Sequence, residues 1–175
     1  MKNKLRSPSP PDEPLTLDEV DRTMLRLLQA DASGTNAELA AKVGLSPSAC
    51  LSRTKRLREG GVIGKFTAVV DENKVGLIVT TFAFVTLSKH SRTAAESFLG
   101  RVRKMAQVME CYNITGRADY MLKIVAPDIS TYRDFVIDQL IEIPEVEHAE
   151  TLVVLKTEKR SFDLPLEQSS IWGKR

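Results

Sequence analysis

Arg53, Lys55, Arg56 and Arg58 fall within six residues, directly after the run Ser46-Pro47-Ser48-Ala49-Cys50-Leu51-Ser52. Cations at that density suit one chemistry in particular, the neutralisation of nucleic-acid phosphates with release of their counterions. The clustering is local. Residues 46–65 hold five basic side chains against one acid, Glu59, a net charge of +4, whereas residues 65–175 hold 15 of each sign. A solvated helix face can carry the same charge, so the surrounding elements must decide between the two. Catalytic chemistry has far less to work with. His90 and His148 are the two histidines, and neither is spaced from a cysteine or carboxylate as a metal or nucleophile site requires. Gly60-Gly61-Val62-Ile63-Gly64-Lys65 approaches a phosphate loop, but Glu59 and Phe66 stand where glycine and a magnesium-binding hydroxyl are needed. No enzyme activity, metal or cofactor is expected.

The basic stretch sits on a helix with clear punctuation. Ser46 is a good N-cap and Pro47 fits the first turn, where no backbone N–H is required. The helix should run to about Glu59 and stop at Gly60-Gly61. Two helices precede it. Thr16 with Glu19 reads as a capping box for a helix that buries Val20, Met24, Leu27 and Leu28. Thr35 with Glu38 reads as a second, opening a short helix with Leu39 and Val43 on its buried side, and Gly44 follows where a C-cap takes positive φ. Two short capped helices joined by Gly44-Leu45 make a helix-turn-helix. Its second helix presents small polar groups at its start and cations toward its end. That distribution suits insertion into the major groove of double-stranded DNA, with Ser46, Pro47, Ser48, Ala49 and Ser52 near the bases and Arg53, Lys55 and Arg56 near phosphates.

From Val62 the hydrophobic period changes to two, and Val62–Val70 reads as one or two short strands followed by a turn over Asp71–Gly76. Beyond it the order is strand (77–88), helix (91–105), strand (108–114), turn at Gly116–Ala118, strand (120–125), helix capped by Asp128 or Ser130, and a last strand over 146–156. This β-α-β-β-α-β order is the ferredoxin-like arrangement. Hydrophobic content of 42% and charged content of 27% suit packed globular units. The N-terminus lacks the apolar core of a signal peptide and no apolar run is long enough for a membrane span, so a cytoplasmic protein without membrane contact is expected. Cys50 and Cys111 are expected to stay reduced.

Four blocks then become recognisable: LDEVDRTMLRLLQADAS (17–33), ELAAKVGLSPSACLSRTKRLREGGVI (38–63), ECYNITGRADYMLKIVAPDISTY (110–132) and LVVLK (152–156). Together they resemble the Lrp/AsnC (feast/famine) family of transcriptional regulators over most of the chain. The resemblance implies an α+β chain with an N-terminal winged helix-turn-helix and a hinge strand. A C-terminal domain that dimerises and senses small molecules, usually amino acids, follows. It implies a homodimer that assembles further to a tetramer or octamer. Its effector position maps onto the turn Thr115, Gly116, Arg117, Ala118, Asp119 and Tyr120, with Ile129, Val153 and Val154. Asp119 is the candidate partner for an ammonium group, and Arg117 an alternative partner for a carboxylate. Two positions depart from the family pattern. Thr54 replaces an apolar residue of the second helix, where its hydroxyl can bond back to the backbone. Asn113 replaces an apolar residue before the turn and implies a more polar pocket.

The expected organisation is a proline-rich tail (1–15), a helix-turn-helix domain (16–64), a hinge strand and linker (65–76), a ferredoxin-like effector and oligomerisation domain (77–160) and a C-terminal extension (161–175). A sensing or assembly module without DNA binding is the alternative reading, because ferredoxin-like domains serve that purpose alone. The locally charged helix-turn-helix is the feature such a module would not need.

Overall fold

A computed structural model describes residues 15–166. Residues 1–14 of the expected tail (1–15) and 167–175 of the expected extension (161–175) lie outside the described residues. The chain divides into two compact units, one comprising residues up to Ala68 together with those from Lys159 onward, the other Val69–Glu158.

The first unit is built on three helices, α1 (Glu19–Ala30), α2 (Asn36–Lys42) and α3 (Pro47–Glu59). The α1 cap differs from the expected Thr16–Glu19 box. Asp18 is the N-cap, its carboxylate accepting the Asp21 N–H at 2.8 Å, and the Asp21 carboxylate returns the bond to the Asp18 N–H at 3.2 Å. The Thr35–Glu38 box on α2 forms as read, and Ser46 caps α3 through the Ala49 N–H at 3.2 Å with Pro47 in the first turn. Gly44 adopts φ of 68°, the left-handed conformation that costs a residue with a Cβ. Met24, Ala40 and Cys50, one from each helix, form the buried centre, with Val20, Leu39, Val43 and Leu45 packed around them. The Thr54 hydroxyl donates to the Cys50 carbonyl at 3.0 Å, so the polar residue is absorbed within the helix. From Lys159 the chain contributes an arm to this unit. The Gln29 side-chain amide donates to the Leu164 carbonyl at 3.2 Å and accepts from its N–H at 2.8 Å.

The strands expected over Val62–Val70 are absent. Gly64–Val70 has no regular secondary structure and pairs with no strand among the described residues, and Phe66, Val69 and Val70 are exposed. An alternating sequence specifies an extended backbone; a ladder also needs a partner edge. The turn after it forms a short 3₁₀ helix at Asn73–Val75, closed by Gly76.

The second unit holds strands β1 (Val79–Leu87), β2 (Val108–Asn113), β3 (Tyr120–Ala126) and β4 (Val146–Val153), with helices α4 (Arg92–Val102) and α5 (Ile129–Phe135). A π-helical turn, Val136–Leu140, continues α5. The sheet order is β2-β3-β1-β4, with every pairing antiparallel, as the β-α-β-β-α-β reading requires. Ala83, Val85 and Leu87 of β1 and Leu122 and Ile124 of β3 pack with Phe98 and Val102 of α4 and Tyr132 and Phe135 of α5. Strand side chains alternate between faces, so Phe82 and Phe84 point to the other side. Register places Phe84 beside Met121 and Phe82 beside Leu152, with Tyr112 next to Met121. The two helices pack on one face of the sheet only, and this second face is rich in apolar side chains.

Candidate nucleic-acid interface and effector turn

The outer face of α3 follows from its period. Cys50 and Leu57 are buried, while Ser48, Leu51, Ser52 and Lys55, at helical spacing, are exposed. Leu51 is 60% exposed, and the sequence reading passed over it. Counting three and four residues on from Ser48 would have found it. A leucine standing between two serines and a lysine on a helix suits apolar contact with a thymine methyl group in the major groove. Ser46 and Ser48 hydroxyls lie 3.1 Å apart at the N-terminus of the helix, and the Asn36 amide donates to the Pro47 carbonyl at 2.7 Å, tying α2 to the start of α3.

Arg53 and Arg56 are placed differently from the other cations. Arg53 Nη1 donates to Asp18 Oδ2 at 2.7 Å and to Asp21 Oδ1 at 2.9 Å. Arg56 Nη2 donates to Asp21 Oδ2. Both guanidinium groups are therefore engaged by α1, where the sequence reading set them toward phosphates. The backbone N–H of Asp21, and then Arg53, hold the Asp18 carboxyl below the usual carboxylate range. Lys55 and Arg58 remain on the exposed side, with the Arg58 guanidinium 5.9 Å from the centre of the Phe66 ring.

In the second unit the turn between β2 and β3 is closely tied to β1. Asp119 donates its N–H to the Val85 carbonyl at 2.9 Å, and its Oδ2 accepts the Leu87 N–H at 2.7 Å. The Leu87 N–H lies past the last β1–β3 pair, Val85 with Tyr120, so the carboxylate replaces a strand carbonyl there. Oδ1 lies 3.3 Å from His90 Nδ1. Asn113 donates its side-chain amide to the Asp119 carbonyl at 3.0 Å and so closes the turn. Arg117 pairs with Glu150 at 3.0 Å, and Gly116 holds φ of 118°. Tyr120 and Ala118 are buried, the tyrosine ring 4.9 Å from that of Phe98.

The residues mapped onto the effector position do not converge within one chain. Thr115–Tyr120 lie at the end of β1 near Val85, whereas Val153 is opposite Thr81, and the Val154 N–H bonds to the Thr80 carbonyl. Ile129, exposed in the first turn of α5, follows the end of β3, where Ala126 pairs with Val79. Four residues along β1 is about 13 Å. The turn and the trio Ile129, Val153 and Val154 are two separate clusters on opposite ends of one sheet.

A capped three-helix unit with an exposed, polar-to-cationic second helix, joined to a one-sided α/β sheet, defines a DNA-binding transcriptional regulator with a separate sensing domain. Comparison with known proteins agrees. A family model for the AsnC-type helix-turn-helix domain matches residues 17–58, and one for the Lrp/AsnC ligand binding domain matches residues 80–164. The chain belongs to the Lrp/AsnC family of transcriptional regulators. It is 50% identical over 154 residues to the transcriptional regulator AzlB of Bacillus subtilis, covering 88% of this chain and 98% of that one. It is 36% identical over 145 residues to the leucine-responsive regulatory protein of Escherichia coli, covering 83% and 88% of the two chains. A transcriptional regulator of Neisseria meningitidis solved in complex with L-Met superposes with a TM-score of 0.83 at 36% identity, over 87% of this chain and 98% of that one. Among the described residues no helix is long and apolar enough to cross a membrane.

Proposed function

We propose that this regulator binds duplex DNA as a symmetric homodimer and that its DNA binding or further assembly responds to an amino acid or a closely related metabolite. The observation that carries the DNA half is the exposed face of α3. Ser46, Pro47, Ser48 and Ala49 form the entering end, Ser48, Leu51 and Ser52 face base edges, and Lys55 reaches the backbone. A two-fold dimer presents two such helices, so its half-sites repeat at multiples of about 10 base pairs.

The dimer reading rests on the face of the sheet opposite the helices, where Phe82, Phe84, Tyr112, Met121 and Leu152 lie beside the Lys123–Glu110 ion pair and Glu150. Apolar side chains gathered on one uncovered sheet face, with Tyr112 and Leu152 exposed, favour burial against a second copy. The effector reading rests on the turn at Thr115–Tyr120 and on the L-Met complex of the Neisseria relative. Asp119 offers a carboxylate to an ammonium group and Arg117 a guanidinium to a carboxylate. The second cluster, Ile129, Val153 and Val154, is apolar and suits the side chain. Because the clusters lie apart in one chain, a complete pocket draws the turn from one copy and the apolar cluster from another, which links effector binding to assembly.

The test is a thermal-shift screen of the purified protein against amino acids and 2-oxo acids, followed by sedimentation with each hit. A ligand that binds the folded state raises the midpoint by mass action. A hit that also changes the sedimenting species supports the shared pocket. A screen with no hit removes the effector reading.

A further inference from the structure

Arg53 and Arg56, the two cations best placed by sequence to reach phosphates, converge on one fully buried carboxylate. Asp21 is 0% exposed, lies on α1, and accepts from Arg53 on one oxygen and from Arg56 on the other. Its second oxygen also accepts the Asp18 N–H, and the Asp18 carboxylate takes a further bond from Arg53. The capping box of α1 and the cationic stripe of α3 are thus one network of two aspartates and two arginines, formally neutral.

We propose that Asp21 is the positioning residue of the DNA-binding helix. It fixes the height and rotation of α3 against α1 through Arg53 and Arg56, and the phosphate charge is carried by Lys55 and Arg58. The inference rests on the DNA-binding reading above. Three features carry it. Buried Cys50 and Leu57 seat α3 on its apolar side, and the contacts to Asp21 add a directional constraint beside that packing. Arg53 and Arg56 are three residues apart, so two guanidinium groups held at one carboxylate define both the axial position and the turn of the helix. A guanidinium is a planar fork with fixed donor directions, so the geometry is directional in a way an ammonium could not match. Rotating α3 to free the two arginines would carry Ser48, Leu51, Ser52 and Lys55 from their places on the outer face and leave the buried Asp21 carboxylate with the Asp18 N–H but no cation.

A positioning role for Asp21 and a direct phosphate role for the arginines differ in the sign of one effect. Asp21→Asn removes a negative charge that competes for both arginines. If Arg53 and Arg56 serve DNA directly, freeing them tightens binding; if Asp21 positions α3, binding weakens. Titration of mixed-sequence duplex DNA at several potassium chloride concentrations, with helix content followed by circular dichroism, reads both affinity and salt slope. The expected result is a folded Asp21→Asn protein that binds about tenfold more weakly, with a salt slope no steeper than wild type, because the displaced α3 gains no phosphate contact. Equal or tighter binding by the folded variant overturns the proposal.

If Asp21→Asn does not fold, the triple variant Asp21→Leu, Arg53→Met, Arg56→Met decides, since buried ionic groups are often replaceable by apolar ones of similar volume. Its slope stays near wild type under the proposal. It falls by about 1.8 if both arginines contact phosphates, at about 0.9 per contact, and that fall overturns the proposal. Lys55→Gln and Arg58→Gln each lower the slope by about 0.9, and slopes unchanged in both also overturn it. Wild-type protein that shows no salt-dependent DNA binding sinks the DNA-binding reading itself, a result distinct from any slope among the variants.

Discussion

Asp119 holds two roles in one carboxylate, and two substitutions separate them. Oδ2 accepts the Leu87 N–H at 2.7 Å, and the side chain is 26% exposed. A hydrogen bond to a charged acceptor contributes about 1.5–3 kcal/mol, and partial exposure puts this one near about 1.5. Asp119→Ala leaves the Leu87 N–H without its acceptor, so the sensing unit loses about 1.5 kcal/mol. For a unit of this size that lowers its melting midpoint by about 6–12 °C. Asp119→Asn keeps a side-chain carbonyl for the Leu87 N–H and removes only the charge, so most of the midpoint is retained. Effector binding should behave differently. A carboxylate has about four acceptor positions; the Leu87 N–H fills one and His90 Nδ1 lies 3.3 Å from Oδ1, leaving room for an ammonium group. Loss of that charge-assisted contact weakens the effector by about 10- to 100-fold in both variants. Differential scanning calorimetry measures the first quantity, and isothermal titration with a screened effector measures the second. An Asp119→Asn protein that binds the effector as wild type does would refute the ammonium role. An Asp119→Ala protein with an unshifted midpoint would refute the reasoning from Leu87.

Three further outcomes are expected. Gly44→Ala should destabilise the helix-turn-helix unit by about 1 kcal/mol, because an added Cβ meets nothing within 4 Å and only the left-handed backbone is penalised; in urea melts Gly44→Asn, which tolerates that conformation, should be close to neutral. Backbone N–H groups lower the pKa of the capping carboxylates Asp18, Glu38 and Asp128, so their contribution to stability is full above the ordinary carboxylate pKa of about 4 and is lost as pH falls through the lower folded values. Melting midpoints followed by circular dichroism should decline through that window, and midpoints constant down to about pH 2.5 would contradict the sign. On a defined operator, replacing the thymine read by Leu51 with deoxyuridine removes one methyl group, about 0.8 kcal/mol or fourfold in affinity, for wild type; the same replacement should leave Leu51→Ala unaffected in a filter-binding titration, and equal losses in both proteins would remove Leu51 from base readout.

Local signals carried the sequence reading furthest. The Thr35–Glu38 box, the Ser46-Pro47 start and the Gly44 turn each depend on a few adjacent residues, and each forms as read. The first cap did not, because Thr16–Glu19 and Asp18–Asp21 offer overlapping boxes of similar local merit. The structure uses the second, in which Asp21 also meets Arg53 and Arg56, a tertiary contact no local window contains. The same contact engages Arg53 and Arg56, which cationic spacing on α3 alone set toward phosphates. The order and pairing of β1–β4 were legible from the alternating runs and the turns between them. The strands expected over Val62–Val70 were misread for the reason that alternation does not supply a partner. Resemblance supplied the effector residues, but only the registers of β1 with β3 and β4 reveal that Asp119 and Val153 belong to different ends of the sheet.

The central claim is that one chain couples amino-acid sensing to DNA binding. It is tested most directly by measuring DNA affinity at fixed salt across a titration of the effector found by thermal shift, and effector affinity with and without saturating DNA. The account predicts that the effector changes DNA affinity by some factor, of the order of 5- to 150-fold, and that DNA changes effector affinity by the same factor. An effector that binds tightly while leaving DNA affinity unchanged at every concentration would contradict it.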